Sequence, residues 1–272
     1  MLRILITGIL GWSICCADLA RADPISDLTE VYTAESATGE VTAAASDFHG
    51  FAGAGFFNYE KNTGDGGRKN AVLPLIILTY QDWAYWSIGG GGVWLFQSGD
   101  RALKLGMGLK IHRGYTASDD EVFTGMNDRR NSLDGSVNAL WKNDWVNTSL
   151  HYYHDIGKAS SGDSASLKFS HAFSLGQRLR LIPTVGAEWL SMRVVDYYFG
   201  VTAAEATAIR PAYTGREAIN YNAGLNAIYL LDKSWVLLGG VHLTHLGAGI
   251  EDSPLVIHNN SVLLYLGAAW RY

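Results

Sequence analysis

The residues of this chain best suited to chemistry are two histidine pairs, His151 with His154 and His242 with His245, and a set of charged side chains spread over its length. Paired imidazoles suggest a zinc, copper or iron site. Spacing argues against one: two residues three apart share a face of a helix but point to opposite faces of a strand, and both pairs lie in segments that alternate with a period of two. Catalysis would need a nucleophile, a base and an orienting group converging on one face. Ser, His and Asp are plentiful, yet no spacing singles out a set, so no catalytic residue, cofactor or metal is expected. Cys15 and Cys16 both fall in a segment expected to be removed, which leaves no disulfide and no thiolate ligand.

The elements that position the charged groups are strands. In 132–142, Leu133, Gly135, Val137, Ala139 and Trp141 alternate with Ser132, Asp134, Ser136, Asn138 and Lys142. Segments 102–112, 145–156, 164–174 and 218–231 repeat the pattern. Their polar faces, with those of neighbouring strands, collect Lys104, Lys110, His112, Asp134, His151, Asp155, Lys168, Arg178, Arg180, Glu188 and Arg271. Such a face lines either a solute path or a closed interior in which the charges neutralise one another. Mixed signs without a single-sign ring favour the closed interior.

Composition agrees with a membrane β-barrel: Gly 31, Tyr 14 and Trp 9 against Pro 5 and 17% charged residues suit strands, tight turns and interfacial aromatics. A formal charge of -5 argues against nucleic acid as a partner. After residue 22 no apolar run is long enough for a membrane helix, so only a closed sheet could span a bilayer. Trp141, Trp145, Trp235, Trp270 and Tyr272 fall at strand ends, as a girdle at the bilayer interface requires.

Connections alternate in length. Short ones at 98–101, 142–144, 175–177 and 232–234 interleave with long ones at 113–131, 156–163, 196–218 and 247–257. Bacterial barrels pair short periplasmic turns with long external loops, so the C-terminus is expected in the periplasm. Eleven strands are legible: 48–57, 71–80, 83–97, 102–112, 132–142, 145–156, 164–174, 178–193, 218–231, 235–246 and 259–272. An even number is required. Splitting 83–97 at the glycine run 89–92 gives twelve, the preferred count, and omitting 48–57 gives ten. The expectation is an all-β, transmembrane, antiparallel up-and-down barrel over 48–272.

Residues 1–22, with Arg3, an apolar stretch and Ala20-Arg21-Ala22, have the layout of a secretory signal peptide. Residues 23–47 carry six acidic side chains and no Lys or Arg, and are expected to be a periplasmic segment or a lumen plug. At the other end Leu264, Leu266, Ala268, Trp270 and Tyr272 alternate up to the last residue, as a closing strand would.

The most distinctive stretch is 196–222. Thr202-Ala203-Ala204-Glu205 is a capping box that predicts a short helix through Ala208, ended by Arg210-Pro211. The block Tyr197-Tyr198-Phe199-Gly200-Val201 with Glu205-Ala206, then Pro211-Ala212-Tyr213, Asp252-Ser253-Pro254 and the earlier Val72-Leu73-Pro74-Leu75, resembles the MipA/OmpV family of outer-membrane proteins. The ending Gly267-Ala268-Ala269-Trp270-Arg271-Tyr272 resembles the family's assembly signal, with Tyr where many members have Phe. This resemblance implies a non-enzymatic, monomeric barrel in outer-membrane lipid. It implies a scaffold that joins a lytic murein transglycosylase to a penicillin-binding protein. A narrow channel and an adhesin acting through loops 113–131 and 196–218 are the alternatives.

Overall fold

A computed structural model describes residues 48–272 apart from Asp82 and Ile88. The expected signal peptide and acidic segment, 1–47, lie outside the described residues. Thirteen strand segments run in order: β1 (Phe48–Glu60), β2 (Arg68–Tyr80), β3 (Ala84–Ser87), β4 (Gly90–Gln97), β5 (Leu103–His112), β6 (Ser132–Lys142), β7 (Asn147–Asp155), β8 (Asp163–Ser170), β9 (Phe173–Leu175), β10 (Leu179–Leu190), β11 (Ala218–Leu230), β12 (Trp235–His245) and β13 (Asn260–Arg271). Each pairs antiparallel with the next, except that β8 pairs with β10, and β13 returns to β1, with Phe51 opposite Arg271 and Tyr59 opposite Leu263. The ring is closed. β8 and β9 both pair with β10 and form one stave, so the barrel has twelve. The break between them lies opposite Pro183, whose carbonyl accepts from His171 N at 3.4 Å. Proline has no N–H to offer a ladder and is accommodated where pairing is already interrupted.

The twelfth strand arises where the glycine run suggested it, with one correction. Gly90, Gly91 and Gly92 are not the bend; they are paired residues of β4, opposite Ser87, Trp86 and Tyr85 of β3. Gly92 is needed for a close approach, because a Cβ there would lie 2.7 Å from the Tyr85 hydroxyl oxygen. β3 covers only Ile77–Tyr80 of β2. Among the described residues, the rest of β2 is therefore paired by β1 alone, and Pro74 lies in that edge, where a missing donor breaks no ladder.

Side chains alternate as the pleat demands. Outward positions such as Phe56, Val72, Ile76, Leu105, Met107, Val137, Leu225, Leu243, Leu264 and Leu266 form an exposed apolar surface. An apolar surface of that extent is at home only in hydrocarbon. Trp235 and Trp270 meet edge to face at 5.6 Å near the strand ends. The short turns close themselves: Asp232 Oδ1 accepts from the N–H groups of Ser234 and Trp235, and Asn143 Oδ1 from those of Trp145 and Val146.

Candidate functional site

On the inward face, β1, β2 and β10–β13 contribute a packed apolar wall. It includes Phe51, Phe57, Leu75, Ile77, Ile182, Val236, Leu238 and Tyr265, with Phe57 and Val236 both 0% exposed. Phe57 stacks on Tyr265 at 5.6 Å. Residues lining a wide aqueous pore would not be dry. The two buried inward amides, Asn226 and Asn138, are paired with neighbouring side chains. Asn226 Oδ1 accepts from the Tyr265 hydroxyl and contacts His242 Nε2, each at 2.8 Å. Asn138 Oδ1 lies 2.8 Å from His151 Nδ1, and Asn138 Nδ2 donates to the Tyr85 hydroxyl. His154 and His245 point outward, to Asp163 and Asn260, so the strand-period argument places each histidine pair correctly.

The charged inward residues are sorted along the barrel axis. Lys104, Lys168, Arg180 and Arg271 lie toward the short-turn end, joined by Lys142, while Asp134, Asp155 and Glu188 lie toward the long-loop end with Lys110 and His112. Arg178 sits in the turn before β10, below the wall.

At the long-loop end the connections fold into a cap with its own two apolar clusters. Helix α1 (Met192–Phe199) buries Val194, Val195, Tyr198 and Phe199 against Leu190, Ala218, Leu246 and Ile250, the last from α2 (Ala248–Glu251). A second cluster joins Tyr115, Phe123 and Met126 of loop 113–131 to Val201 and Leu255. The helix expected at Thr202–Ala208 is not formed; α1 precedes it and takes residues assigned from sequence to the strand 178–193. Half of the capping box is nevertheless present: Glu205 Oε2 accepts from Thr202 N at 3.1 Å, and the Thr202 hydroxyl, instead of accepting from Glu205 N, donates to the same oxygen at 2.9 Å. What the local reading could not include is Arg129.

Arg129 binds both Glu205 oxygens at 3.1 Å, and its Nε donates to the Tyr197 carbonyl at 2.7 Å. Burial works to raise the Glu205 carboxyl, but Arg129 and the N–H groups of Asn127 and Thr202 outweigh it and hold the group down at about 2. Arg210 ties Glu205 O to the carbonyls of Val122 and Thr124. Lys61 bridges Asp65 and Asp120 across two loops, and these partners raise its pKa against the opposing effect of burial. The family-type motifs supply the remaining ties. Tyr197 Oη accepts from Arg130 N, and Gly200 O accepts from Arg129 Nη2. Tyr213 Oη donates to Gly249 O, Ser253 Oγ donates to Phe199 O, and Asp252 pairs with Arg216. Pro211 and Pro254 flank these contacts. Tyr198 stacks on inward-facing His112 at 4.3 Å; burial, then the charges of Asp134 and Asp155, push its phenol above the usual range. The cap is thus seated on the barrel interior.

A closed antiparallel barrel with an apolar outer face is an outer-membrane β-barrel protein. The chain belongs to the MipA family, described as MltA-interacting protein, whose model matches residues 52–272. It is 30% identical over 148 residues to outer membrane protein OmpV of Vibrio cholerae, covering 54% of this chain and 57% of that protein, so it spans little more than half the length of that relative. It is 21% identical over 205 residues to the MltA-interacting protein of Escherichia coli, covering 74% of this chain and 82% of that one. Among solved structures it is similar to a FadL homologue of Pseudomonas aeruginosa, with a TM-score of 0.41, 12% identity, and coverage of 82% of this chain and 89% of that one.

Proposed function

We propose that this protein is a non-enzymatic, monomeric scaffold of the outer membrane. Its short-turn end and C-terminus face the periplasm, where the turns and residues 23–47 meet enzymes of murein synthesis and remodelling. The partners proposed are a lytic murein transglycosylase and a penicillin-binding protein. The observation that carries this reading is the closed interior under an interlocked cap, which leaves the surfaces rather than the lumen as the working parts. The name of the Escherichia coli relative, MltA-interacting protein, supports the partner class, and the alternation of loop length supports the orientation. Refolded barrel immobilised in detergent should enrich a lytic transglycosylase from a periplasmic extract over an unrelated barrel of similar size; equal recovery on both would overturn the reading.

A second reading, a narrow path for small anions, is favoured by one observation: Lys104, Lys142, Lys168, Arg180 and Arg271 form a basic zone on the inward face near the short turns. Conductance steps in a planar bilayer that shrink when Lys104 or Arg180 is neutralised would support it over the scaffold.

A further inference from the structure

The rim at the long-loop end is not uniform in charge. Where β1 meets β2, Arg68 lies 4.0 Å from Glu60 and donates to Asn58 Oδ1. Before β11, Arg216 is paired with Asp252. The sector of β6, β7 and β8 differs, because three exposed cations gather there: Arg130 just before β6, Lys158 in the connection 156–163, and Arg193 in the first turn of α1. The connection draws them together. Arg130 Nη2 donates to the Lys158 carbonyl and Arg193 Nη1 to the Ser161 carbonyl, each at 3.2 Å. Those bonds take one of the five N–H groups of each guanidinium.

This cluster stands on the lipid side of the wall, not over the lumen. Ile156, which opens the connection, lies over the outward position Gly135, where a Cβ would be 3.3 Å from its Cγ2. Asp163, the first residue of β8, is held by two outward side chains of β7: it accepts from Tyr152 Oη and contacts His154 Nδ1, each at 2.8 Å. Its backbone N–H donates to Ser191 Oγ at 2.9 Å, which seats the start of α1 on the same rim, and Arg193 is near enough to act on its charge. Asp128, two residues before Arg130, is turned into its own loop and accepts from Ala117 N. Below the cations the outward face is apolar and open: Leu133 is 40% exposed, Ile156 51% and Met192 56%.

We propose that this sector binds a phosphorylated glycolipid of the outer leaflet, with its phosphates on Arg130, Lys158 and Arg193 and its acyl chains on the apolar face beneath. The proposal rests on the reading that the long loops face the cell exterior. Basic side chains beside a membrane surface attract anionic headgroups. A guanidinium fork matches phosphate oxygens two at a time, and two of the three cations are arginines. Three cations spread over one stretch of rim fit a headgroup with more than one phosphate better than a phospholipid with a single one. Bound there, the lipid holds the connection 156–163 and the first turn of α1 against the leaflet, fastening that side of the cap.

The test uses the whole chain refolded in detergent free of lipopolysaccharide and titrated with bisphosphorylated lipid A in the same micelles, retained lipid being counted by native mass spectrometry. The expected result is saturable retention, at least tenfold tighter than that of dephosphorylated lipid A or phosphatidylglycerol. A cation beside an anionic lipid surface is worth about fivefold in affinity. The triple variant Arg130→Gln, Lys158→Gln, Arg193→Gln should therefore bind about a hundredfold more weakly, and Arg68→Gln, elsewhere on the rim, within twofold of the unaltered chain. Because both arginines also tie the connection, the charge-preserving pair Arg130→Lys with Arg193→Lys is the control, and it should bind at least tenfold more tightly than the triple variant. Should the triple variant fail to fold, Lys158→Gln decides, with a loss of about fivefold expected and no loss overturning the site. No saturable retention, equal affinity with and without the phosphates, or undiminished binding by the folded triple variant also overturns it. Equal affinity for phosphatidylglycerol overturns the preference for several phosphates. Orientation is read separately, by an impermeant maleimide on Ser118→Cys in intact cells: absence of labelling would overturn the orientation and the choice of leaflet, whatever the binding measurement shows.

Discussion

Replacing Glu205 by alanine leaves the Arg129 guanidinium in the cap without its carboxylate. Both partners are buried, their side chains 9% and 2% exposed, and the pair is bidentate with both N–O distances at 3.1 Å. Removing one member of such a pair costs about 3–5 kcal/mol, because the other charge stays buried. The loss should fall on the cap, not on the barrel, whose ladders do not include Glu205. At about 1.4 kcal/mol per tenfold, the population of open cap rises by roughly two to four orders of magnitude. Hydrogen exchange reads this directly: the paired amides of Val201 and Tyr213, which bond each other's carbonyls at 2.8 and 2.9 Å, should lose protection by that factor, while amides of β6 and β13 hold theirs. The double replacement Arg129→Met with Glu205→Leu should recover part of the loss, since the charge is gone, but not all, because Asn127 N and Thr202 N still lose their acceptor. Protection at Val201 and Tyr213 within threefold of the unaltered protein in Glu205→Ala would refute the reasoning.

The depressed pKa of Glu205 gives the cap a pH dependence. A carboxyl at about 2 in the folded cap and near its ordinary value of 4.5 when open contributes stability that is complete above about pH 4.5 and lost as pH falls toward 2. Cap-specific exchange measured from pH 7 to pH 2 should stay flat down to the upper value and then accelerate. Phe57→Ala should cost about 3–5 kcal/mol in urea unfolding of the refolded barrel, as in a packed core; a loss below about 1 kcal/mol would mean the wall is wet. Gly267→Val should cut the yield of heat-modifiable folded barrel, because a Cβ there would meet Leu75 Cδ1 at 2.4 Å and Ala54 O at 2.7 Å at the closing seam; a yield equal to that of the unaltered chain would contradict that packing.

The barrel was legible because lipid on one side and a packed interior on the other impose a strict period of two, and because loop length alternates. Evenness of strand number left ten or twelve, and the glycine run decided the split of 83–97; Gly89 does lie in the turn, whereas Gly90, Gly91 and Gly92 turned out to be paired residues. Pro74, quoted only as part of a motif, marks an edge left by the shortness of β3. The cap was harder to read for a physical reason: it is built from contacts between residues far apart in sequence. Thr202 and Glu205 form only the carboxylate half of the expected capping box, because Arg129, in another loop, fixes the carboxylate, and no helix follows. The true helix carries its own signal, apolar Val194, Val195, Tyr198 and Phe199 at helical spacing, but the expected strand 178–193 took its first two residues and the long connection 196–218 its last four. Arg129, Arg210, Lys61 and Asp120 carry no local signal at all, and only assembly of the loops brings them together. In the interior, alternation identified the inward charges, but their sorting by sign along the axis depends on register, which sequence alone does not supply.

Single-channel recording in planar bilayers, on protein first shown to be folded by its heat-dependent gel mobility, tests the closed, capped barrel most directly. The account predicts insertion without conductance steps, both in the unaltered chain and in a variant with Lys104 neutralised. Stable, reproducible steps from the unaltered protein would show an open path through the interior and contradict the sealed barrel on which the scaffold reading stands.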